Sequence, residues 1–485
     1  MDGGNGKPEP DIIWKEIRKN PERADIFRKR ESVGKAGRIM KKVITYGSFD
    51  LFHEGHYRLL KRAKELGDYL MVGVTTEQYD RLRGKLNVEE PLLTRVENIK
   101  KTGLADEIII EDHPGQKEED VVKYGIDIFT VGSDWTGAFD YLKGKCEVVY
   151  LERTKDISST MLREKLHPII RLGVVGTGRI ANRFVAETKF VSGIESKSVY
   201  NPHKENAIKF SLRFGLRAHY EEYEKFLDEI DAVYVASPHE FHYEYTKTAL
   251  LQGKHVLCEK PLVFSGAQAE ELYGLAKQKG LVLMEALKTA FCPGFEKLCQ
   301  IVDSGVIGTV CDVEACFTRL ASEQSRERTD VEYGGGFTEF GSHTMLPILR
   351  FMGTDYKDVQ FHSILDGQGL DLYTKANFVY ERGMATSKSG VGVKSEGQLV
   401  IAGTKGYVLA PSPWWLTKYF EVRYENPGKI DRYEVPFYGD GLRYEVKDFA
   451  VQINSGEPDN RKFGAKESIA LAGVMERFMR LRNVS

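Results

Sequence analysis

The sequence predicts an α/β chain: two Rossmann-like units in succession, then an α+β domain built on an open sheet. Three observations carry this. The apolar run Val43 to Tyr46 enters Gly47 and then an amphipathic pattern from His56 through Leu59, Leu60, Ala63 and Leu66, giving a strand, a tight turn and a helix. A second run, Ile169 to Val175, ends in Gly176-Thr-Gly-Arg-Ile-Ala181 and again passes into a helical pattern. Beyond residue 288, the segments Val310 to Thr318, Val359 to Leu365, Lys375 to Tyr380 and Gln398 to Ala402 alternate as strands with one covered face, in a largely antiparallel sheet. A helix over Lys466 to Arg480 closes the chain.

The first unit carries the most specific chemistry. In Gly47-Ser-Phe-Asp-Leu-Phe-His-Glu-Gly-His56, the residues His53 and His56 stand at a helix start, where backbone N–H groups already favour anions. Two further segments follow in order: Gly132-Ser-Asp-Trp-Thr-Gly137 with Phe139-Asp140, and Arg153-Thr-Lys-Asp-Ile-Ser-Ser-Thr160. Ser158, Ser159 and Thr160 precede the periodic Met161, Leu162 and Leu166. They read as a helix N-terminus that presents hydroxyls to phosphate oxygens or simply caps itself.

Together these stretches resemble the HxGH, GDDWEG and RTxGISTT motifs of the nucleotidyltransferase superfamily, specifically the cytidylyltransferases that make CDP-glycerol. The resemblance implies transfer from CTP with Mg²⁺, with Gly47, Ser48, Phe49, Asp134, Arg153, Ser158, Ser159 and Thr160 at the nucleotide. His53, His56, Lys85 and Arg95 would carry the catalysis. In-line attack by a phosphomonoester on the α-phosphorus gathers negative charge on equatorial oxygens, so preorganised donors and cations supply the rate. No general base is needed, because a phosphomonoester with a second pKa of about 6 is largely dianionic at neutral pH. Either Lys85 or Arg95 could be merely solvated; Arg95 follows Thr94 as the family's arginine does, whereas Lys85 shares its stretch with Arg81 and Arg83. The sequence departs from the family at Asp156, where a glycine is expected, and at Ser159, where a threonine is. Ser159 keeps the hydroxyl; Asp156 repels a triphosphate unless it faces solvent or a metal.

The second unit is a different machine. Gly176, Gly178 and Ala181 form a GxGxxA turn, the arrangement that sets a dinucleotide diphosphate on a helix N-terminus. Later come Val233-Tyr-Val-Ala-Ser-Pro-His-Glu-Phe-His242, His255-Val-Leu-Cys-Glu-Lys-Pro-Leu262, Met284-Glu-Ala286 and Gly334-Gly-Gly-Phe-Thr-Glu-Phe-Gly-Ser-His343. In order, these resemble the Gfo/Idh/MocA oxidoreductases from about residue 170 to the C-terminus. The resemblance implies a cofactor contacted by Gly176, Gly178, Arg179, Ile180, Ala181, Asn201, Ser237, Pro238, His239, His242, Glu259 and Lys260. It also implies proton transfer by Lys260 with His343 as partner. An acid at the developing alkoxide is what hydride reduction of a carbonyl needs. The blander alternatives are a Lys260–Glu259 pair and a histidine filling a glycine turn. Glu339 stands where the family usually has aspartate. Asn201 lies where an NAD enzyme places a ribose-binding carboxylate, and with His203 and Lys204 beside it the cofactor leans from NAD toward NADP.

With 485 residues and 41% hydrophobic content the chain can fill several cores. The divisions are an extension over 1–40, disordered or helical; a cytidylyltransferase-like domain over 41–167; a dinucleotide domain over 168–288; and a substrate and oligomerisation domain over 289–485. A formal charge of −2 argues against a polyanion-binding surface, hence no nucleic-acid partner. The absence of a signal peptide or a membrane-length apolar run makes a cytoplasmic enzyme the expectation. The six cysteines lack zinc-site spacing and read as reduced and packed, Cys258 among them.

Joined, the two halves suggest a bifunctional enzyme: a keto-sugar phosphate is reduced to a polyol phosphate, which is then coupled to CTP. Two other readings stand beside it. The oxidoreductase could act on the CDP-linked product or an unrelated sugar, or one half could be a binding or assembly module.

Overall fold

The computed structural model describes residues 40–82, 88, 90–152, 169–456 and 462–482. The expectations for the N-terminal extension, Lys85, Arg153, Ser158, Ser159, Thr160 and the boundary near residue 167 fall outside the described residues.

Five parallel strands build the first sheet: β1 (Lys42–Gly47), β2 (Tyr69–Thr75), β3 (Glu107–Glu111), β4 (Ile128–Gly132) and β5 (Glu147–Leu151), in the order β3-β2-β1-β4-β5. The central strands are near-continuous apolar runs because both faces are covered. On one side Val43, Leu70 and Val72 pack with Leu60 and Ala63 of the helix Glu54–Glu65 and Ile99 of Leu92–Lys101. On the other, Ile44, Met71 and Phe129 pack with Val121 of Gln116–Lys123.

The second sheet is also parallel. It comprises β6 (Ile170–Val175), β7 (Ile194–Tyr200), β8 (Ala218–Tyr220), β9 (Ala232–Val235), β10 (His255–Glu259) and β11 (Leu283–Ala286), ordered β11-β10-β9-β6-β7-β8. The third is the expected open sheet: β12 (Val310–Thr318), β13 (Asp358–Leu365), β14 (Asp371–Tyr380), β15 (Gly383–Gly390), β16 (Leu399–Gly403), β17 (Gly406–Ala410), β18 (Tyr419–Tyr424) and β19 (Ile430–Glu434). Its order is β13-β14-β15-β12-β16-β17-β18-β19, antiparallel throughout except between β12 and β15. The helix Gly336–Met352 covers one face through Phe337, Met345 and Leu349.

The chain does not stay in the third layer after residue 288. The helices Leu442–Ser455 and Ala465–Arg482 return to the second sheet. Ala472 joins the core of Ala269 and Leu272, and the Ser468 hydroxyl bonds Glu285 of β11. The returning helix is tied by a buried ion pair, Arg443 donating to Glu187 at 2.6 and 2.9 Å with its guanidinium 4.0 Å from the Phe190 ring. The two halves meet where Trp135 lies 6.1 Å from Phe190.

Glu187→Ala would leave Arg443 buried without its counter-charge. The expected cost is about 3–5 kcal/mol, read as a lowered unfolding transition of the second half with the first half's transition unmoved.

Candidate active sites

At the end of β1 the backbone is strained. Phe49 and Leu51 have φ of 51° and 48°, a region non-glycine residues occupy at a cost of about 1–3 kcal/mol. Packing holds them there. The Phe49 ring is buried against Gly47, where an added Cβ would lie 3.1 Å from it, and meets His56 edge-on at 5.5 Å. Asp50, fully buried, accepts the Glu90 N–H at 2.9 Å.

This loop delivers the two histidines. His53 caps the helix Glu54–Glu65, its Nδ1 accepting from the Gly55 N–H at 3.0 Å. A neutral ring that accepts at Nδ1 carries its proton on Nε2, so His53 presents a donor. The His56 ring stacks on it at 4.0 Å and 21°. Two imidazoles and a helix N-terminus thus converge on one point, the geometry for an anion gaining charge.

Arg95, expected at a phosphate, is fully buried beside the turn that follows β1. Its guanidinium donates to the carbonyls of Ser48 (2.7 Å), Thr75 (2.9 Å) and Glu90 (2.9 Å), with Glu77 and Asp80 as counter-charges at 3.4 and 3.9 Å. It pins the ends of β1 and β2 and so positions the Gly47–Phe49 turn, while its Nη2 has no hydrogen-bond partner among the described residues. Asp134 stands in the short helical turn Ser133–Trp135 that follows β4. A cavity of about 700 Å³ opens at Tyr46, Gly47, Tyr79, Glu111, Lys117 and Trp135, and Lys189, Phe190 and Arg217 of the second half complete its wall. Lys117 escaped the sequence reading. It is largely buried, paired with Glu111 and 4.6 Å from the Tyr46 ring centre. The signal was the spacing of Gln116 and Asp120, which face inward on a helix that otherwise reads as solvated.

The second half has a cavity of about 760 Å³ at the carboxyl ends of β6, β9, β10 and β11. Gly176 has φ of 94°, and a Cβ there would lie 2.6 Å from the Ala236 carbonyl, so only glycine fits. A Cβ on Gly178 would meet nothing within 4 Å, so the turn is open on its cavity side and the first N–H groups of the helix Arg179–Thr188 are approachable. Ala181 is fully buried and lets that helix pack; Ile180 and Arg179 line the cavity. These features fit a dinucleotide diphosphate. Asn201 donates to Thr177 Oγ1 (3.0 Å) and accepts from the His203 N–H (2.8 Å), closing the end of β7 onto the glycine turn. Lys204, read as favouring a 2′-phosphate, is paired with Glu221 at 2.8 Å.

Ser237, Pro238 and His239 line the cavity after β9. His242 lines the cavity as well and ties its loops. Fully buried, it sets Nδ1 2.9 Å from the Pro261 carbonyl and Nε2 3.1 Å from that of Ser237, clamping two cavity loops together. Glu259 accepts from the Tyr234 hydroxyl at 2.5 Å, and burial raises its pKa. Lys260 bypasses Glu259 and donates to the Glu339 carbonyl at 2.9 Å, with the Glu339 carboxylate 3.8 Å away. Glu339 therefore faces the proposed acid itself.

His343 lies within a helix rather than in a glycine turn, for the neighbouring glycines serve packing. A Cβ on Gly336 would lie 2.8 Å from Gly390 of the sheet. Its Nδ1 is 3.1 Å from Thr289 Oγ1, which donates its one proton to the Trp415 carbonyl at 3.2 Å. Nδ1 must then be the donor, leaving Nε2 as an acceptor. Burial, aided by Lys260 and Lys288, pushes the pKa well below the usual value, so the ring is neutral at pH 7.

The cavity residues missed include Lys288, Arg319 and Glu327. Lys288 donates to the Asp440 carbonyl at 2.9 Å, and burial pushes its pKa down. Its place two residues beyond the end of β11 was the available signal. Arg319 and Arg179 both bond Glu327 Oε1, at 3.1 and 2.6 Å.

Among the described residues no group of three His, Cys, Asp or Glu side chains could hold a metal, and no helix is long and apolar enough to cross a membrane. The cysteines form no disulfides, and the Cys258 thiol, buried in β10, is pushed well up by burial.

Two anion-binding turns, one feeding paired histidines and one beside a lysine and a neutral histidine, define two nucleotide-dependent enzymes in one chain. Comparison with known proteins agrees. Residues 44–165 match the family described as cytidylyltransferase-like, 170–287 the oxidoreductase family with an NAD-binding Rossmann fold, and 295–409 the GFO/IDH/MocA C-terminal domain. The glycerol-3-phosphate cytidylyltransferase of Staphylococcus aureus is 45% identical over 130 residues, covering 26% of this chain and 96% of that protein. The scyllo-inositol 2-dehydrogenase (NADP(+)) IolU of Bacillus subtilis is 26% identical over 326 residues, covering 64% and 95%. A crystal structure of KijD10, a 3-ketoreductase from Actinomadura kijaniata with NADP and TDP-benzene, superposes with a TM-score of 0.55 at 25% identity, covering 64% of this chain and 96% of that one. The chain belongs to the cytidylyltransferase family in its first part and to the Gfo/Idh/MocA oxidoreductases in its second, a nucleotidyltransferase fused to an oxidoreductase that uses a nicotinamide cofactor.

Arg95→Leu would strand the Ser48 and Thr75 carbonyls. It is expected to cost about 3–5 kcal/mol and to lower cytidylyl transfer while leaving nicotinamide-dependent reduction untouched, as thermal melts and separate assays would read. His343 has a depressed folded pKa, so its contribution to stability is complete above pH about 6.5 and is lost as pH falls toward the folded value. That loss runs at up to about 1.4 kcal/mol per pH unit. In melts from pH 7 to 5, His343→Asn should remove one proton's worth of that slope.

Proposed function

We propose that the oxidoreductase half reduces a keto-sugar phosphate to a polyol phosphate, and that the cytidylyltransferase half joins that phosphate to CTP, giving a CDP-polyol and diphosphate. The observation that carries this reading is the pairing, in one chain, of a histidine site suited to a phosphomonoester with a hydride site whose cavity is lined by six Lys and Arg against three Glu side chains.

In the first step a reduced nicotinamide supplies hydride. The carbonyl carbon accepts it, the carbonyl oxygen takes a proton from the Lys260 ammonium, and the phosphate is carried through unchanged. Glu339 holds Lys260 in place, and His343 Nε2 accepts the hydrogen bond of the new hydroxyl. We assign NADPH as reductant, because Asn201 supplies no carboxylate to repel a 2′-phosphate and both IolU and KijD10 are described with NADP. In the second step a phosphate oxygen of the polyol phosphate attacks the α-phosphorus of CTP and the bond to the β-phosphate breaks. His53 Nε2–H and His56 stabilise the charge gathered on the equatorial oxygens. Mg²⁺ enters with the triphosphate, and the resemblance assigns Asp134, Arg153, Ser158, Ser159, Thr160 and Lys85 to the nucleotide and its phosphates. Both cosubstrates suit a cytoplasmic enzyme.

KijD10 is described as bound to TDP-benzene, which favours one other reading, reduction of the CDP-linked sugar. Assays of reduction with and without the CDP group separate the two.

Supplied with CTP, Mg²⁺ and ribulose 5-phosphate or dihydroxyacetone phosphate, the protein should release diphosphate only when NADPH is present. Lys260→Met should lower NADPH oxidation about 10²- to 10⁴-fold and spare diphosphate release from ready-made polyol phosphate; His56→Ala should do the reverse. Reduction of neither keto-phosphate nor any other phosphorylated ketose would refute the pairing.

A further inference from the structure

Half of the six cations around the reductase cavity have a carboxylate of their own. Lys260 faces Glu339, Arg183 faces Asp440, and Arg326 faces Glu240 and Asp330. Lys288 bonds a backbone carbonyl, and burial works against its charge. Arg179 and Arg319 differ, because both bond the same oxygen of one carboxylate, Glu327 Oε1, at 2.6 and 3.1 Å. Two guanidiniums to one carboxylate leave a local excess of one positive charge. Glu327 is almost wholly buried, with a side chain 5% exposed, whereas Arg179 and Arg319 are 77% and 52% exposed, so the acid forms the back of the cluster and the guanidiniums its open side. Burial works against the charge on Glu327, but the Arg179 bond holds its pKa at about 2, so it keeps the arginines in register at every working pH.

The cluster bridges the two walls of the cavity. Arg179 follows the glycine turn, while Arg319 follows β12 in the open-sheet layer. The Arg319 guanidinium lies 5.6 Å from the Phe340 ring centre, Phe340 stacks on Phe317 at 4.2 Å, and Phe317 is 5.4 Å from the His343 ring. Arg319 is thus on the open-sheet wall, linked through two aromatic rings to His343, and its planar fork of N–H donors suits a phosphate.

We propose that Arg319, steadied by Glu327 and reinforced by Arg179, is the anchor for the phosphomonoester of the ketose that this half reduces. The inference rests on the reading that the reductase substrate is a keto-sugar phosphate, and it names the residue that would select the phosphate. Glu327 is a positioning residue, and Arg179 is shared between this anchor and the cofactor turn.

The test is steady-state reduction by the full-length protein with NADPH, comparing ribulose 5-phosphate with ribulose and dihydroxyacetone phosphate with dihydroxyacetone, in wild type, Arg319→Gln and Arg319→Lys. Arg319→Gln should raise KM for the phosphorylated ketose about 10- to 100-fold, with kcat held within about threefold. The unphosphorylated ketose and the KM for NADPH should be unaffected, and Arg319→Lys should restore part of the loss. An unmoved KM for the phosphorylated ketose, or equal losses for both members of a pair, would overturn the anchor. A raised KM for NADPH would do so too, by assigning Arg319 to the cofactor. If wild type prefers the phosphorylated ketose and Arg319→Gln keeps that preference, only the anchor fails. If wild type reduces a CDP-linked ketose and no phosphomonoester, the reading beneath it fails as well.

Discussion

Among the described residues, both glycine turns and the histidines and lysines beside them stand at the carboxyl edge of a parallel sheet, where strand pairing ends and backbone groups must find other partners. After β1 and β6 the chain passes through a glycine turn into a helix, whose first N–H groups have no intrahelical acceptor; His53 Nδ1 takes one of them in the first half, and the second helix has no side-chain cap. Such helix starts suit anions. The remaining residues of each site are side chains that the same edge brings alongside: His53 and His56 after β1, and Lys260 and Lys288 after β10 and β11.

Holding that edge open requires charges to be buried behind it, and the protein handles each in its own way. Arg95 sits under the first turn with its Nε and Nη1 donating to backbone carbonyls, which helps the loop carrying Phe49 and Leu51 keep a strained backbone. Beneath the second site lie Glu259, Glu285 and Glu445. Burial raises the pKa of all three, to about 7 for Glu285, and both carboxyl oxygens of Glu445 lack a hydrogen-bond partner among the described residues. A raised pKa lessens the cost of a buried negative charge at these carboxyls. The half-buried Glu339 supplies the counter-charge of Lys260.

The fold was legible because two strand–glycine–helix turns and four alternating segments are strong local signals. β12 runs over Val310–Thr318 as its alternation implies. β15 was not legible: Gly383–Gly390 is rich in serine and threonine and reads as loop. Yet Ser387 and Ser389 are fully buried because Thr344 of the covering helix shares hydrogen bonds with their hydroxyls. That compensation comes from residues about forty positions away, and no window along the chain contains it. The same reason hid Arg319 and Glu327. Motif order found Lys260, His343 and His242, which the geometry brings to one cavity, but it did not show that the hydrogen bonds of Arg95 and the ring contacts of His242 go to backbone. A motif marks where a residue must be kept; whether it touches a ligand or holds the loop that does depends on which way the side chain turns.

Under the proposed pathway the two sites ask different things of the same phosphate. In the reductase it is a handle, remote from the carbonyl and unchanged by the step, so a fixed pair of guanidiniums with net charge suits it. In the cytidylyltransferase it is the nucleophile, and tight ion pairing would blunt its attack. Imidazole donors at a helix start concentrate their stabilisation on the equatorial oxygens of the α-phosphate, where charge grows as the bond forms. Arginine on one side and histidine on the other is the division this chemistry calls for, and it allows one small phosphorylated intermediate to serve both halves of the chain.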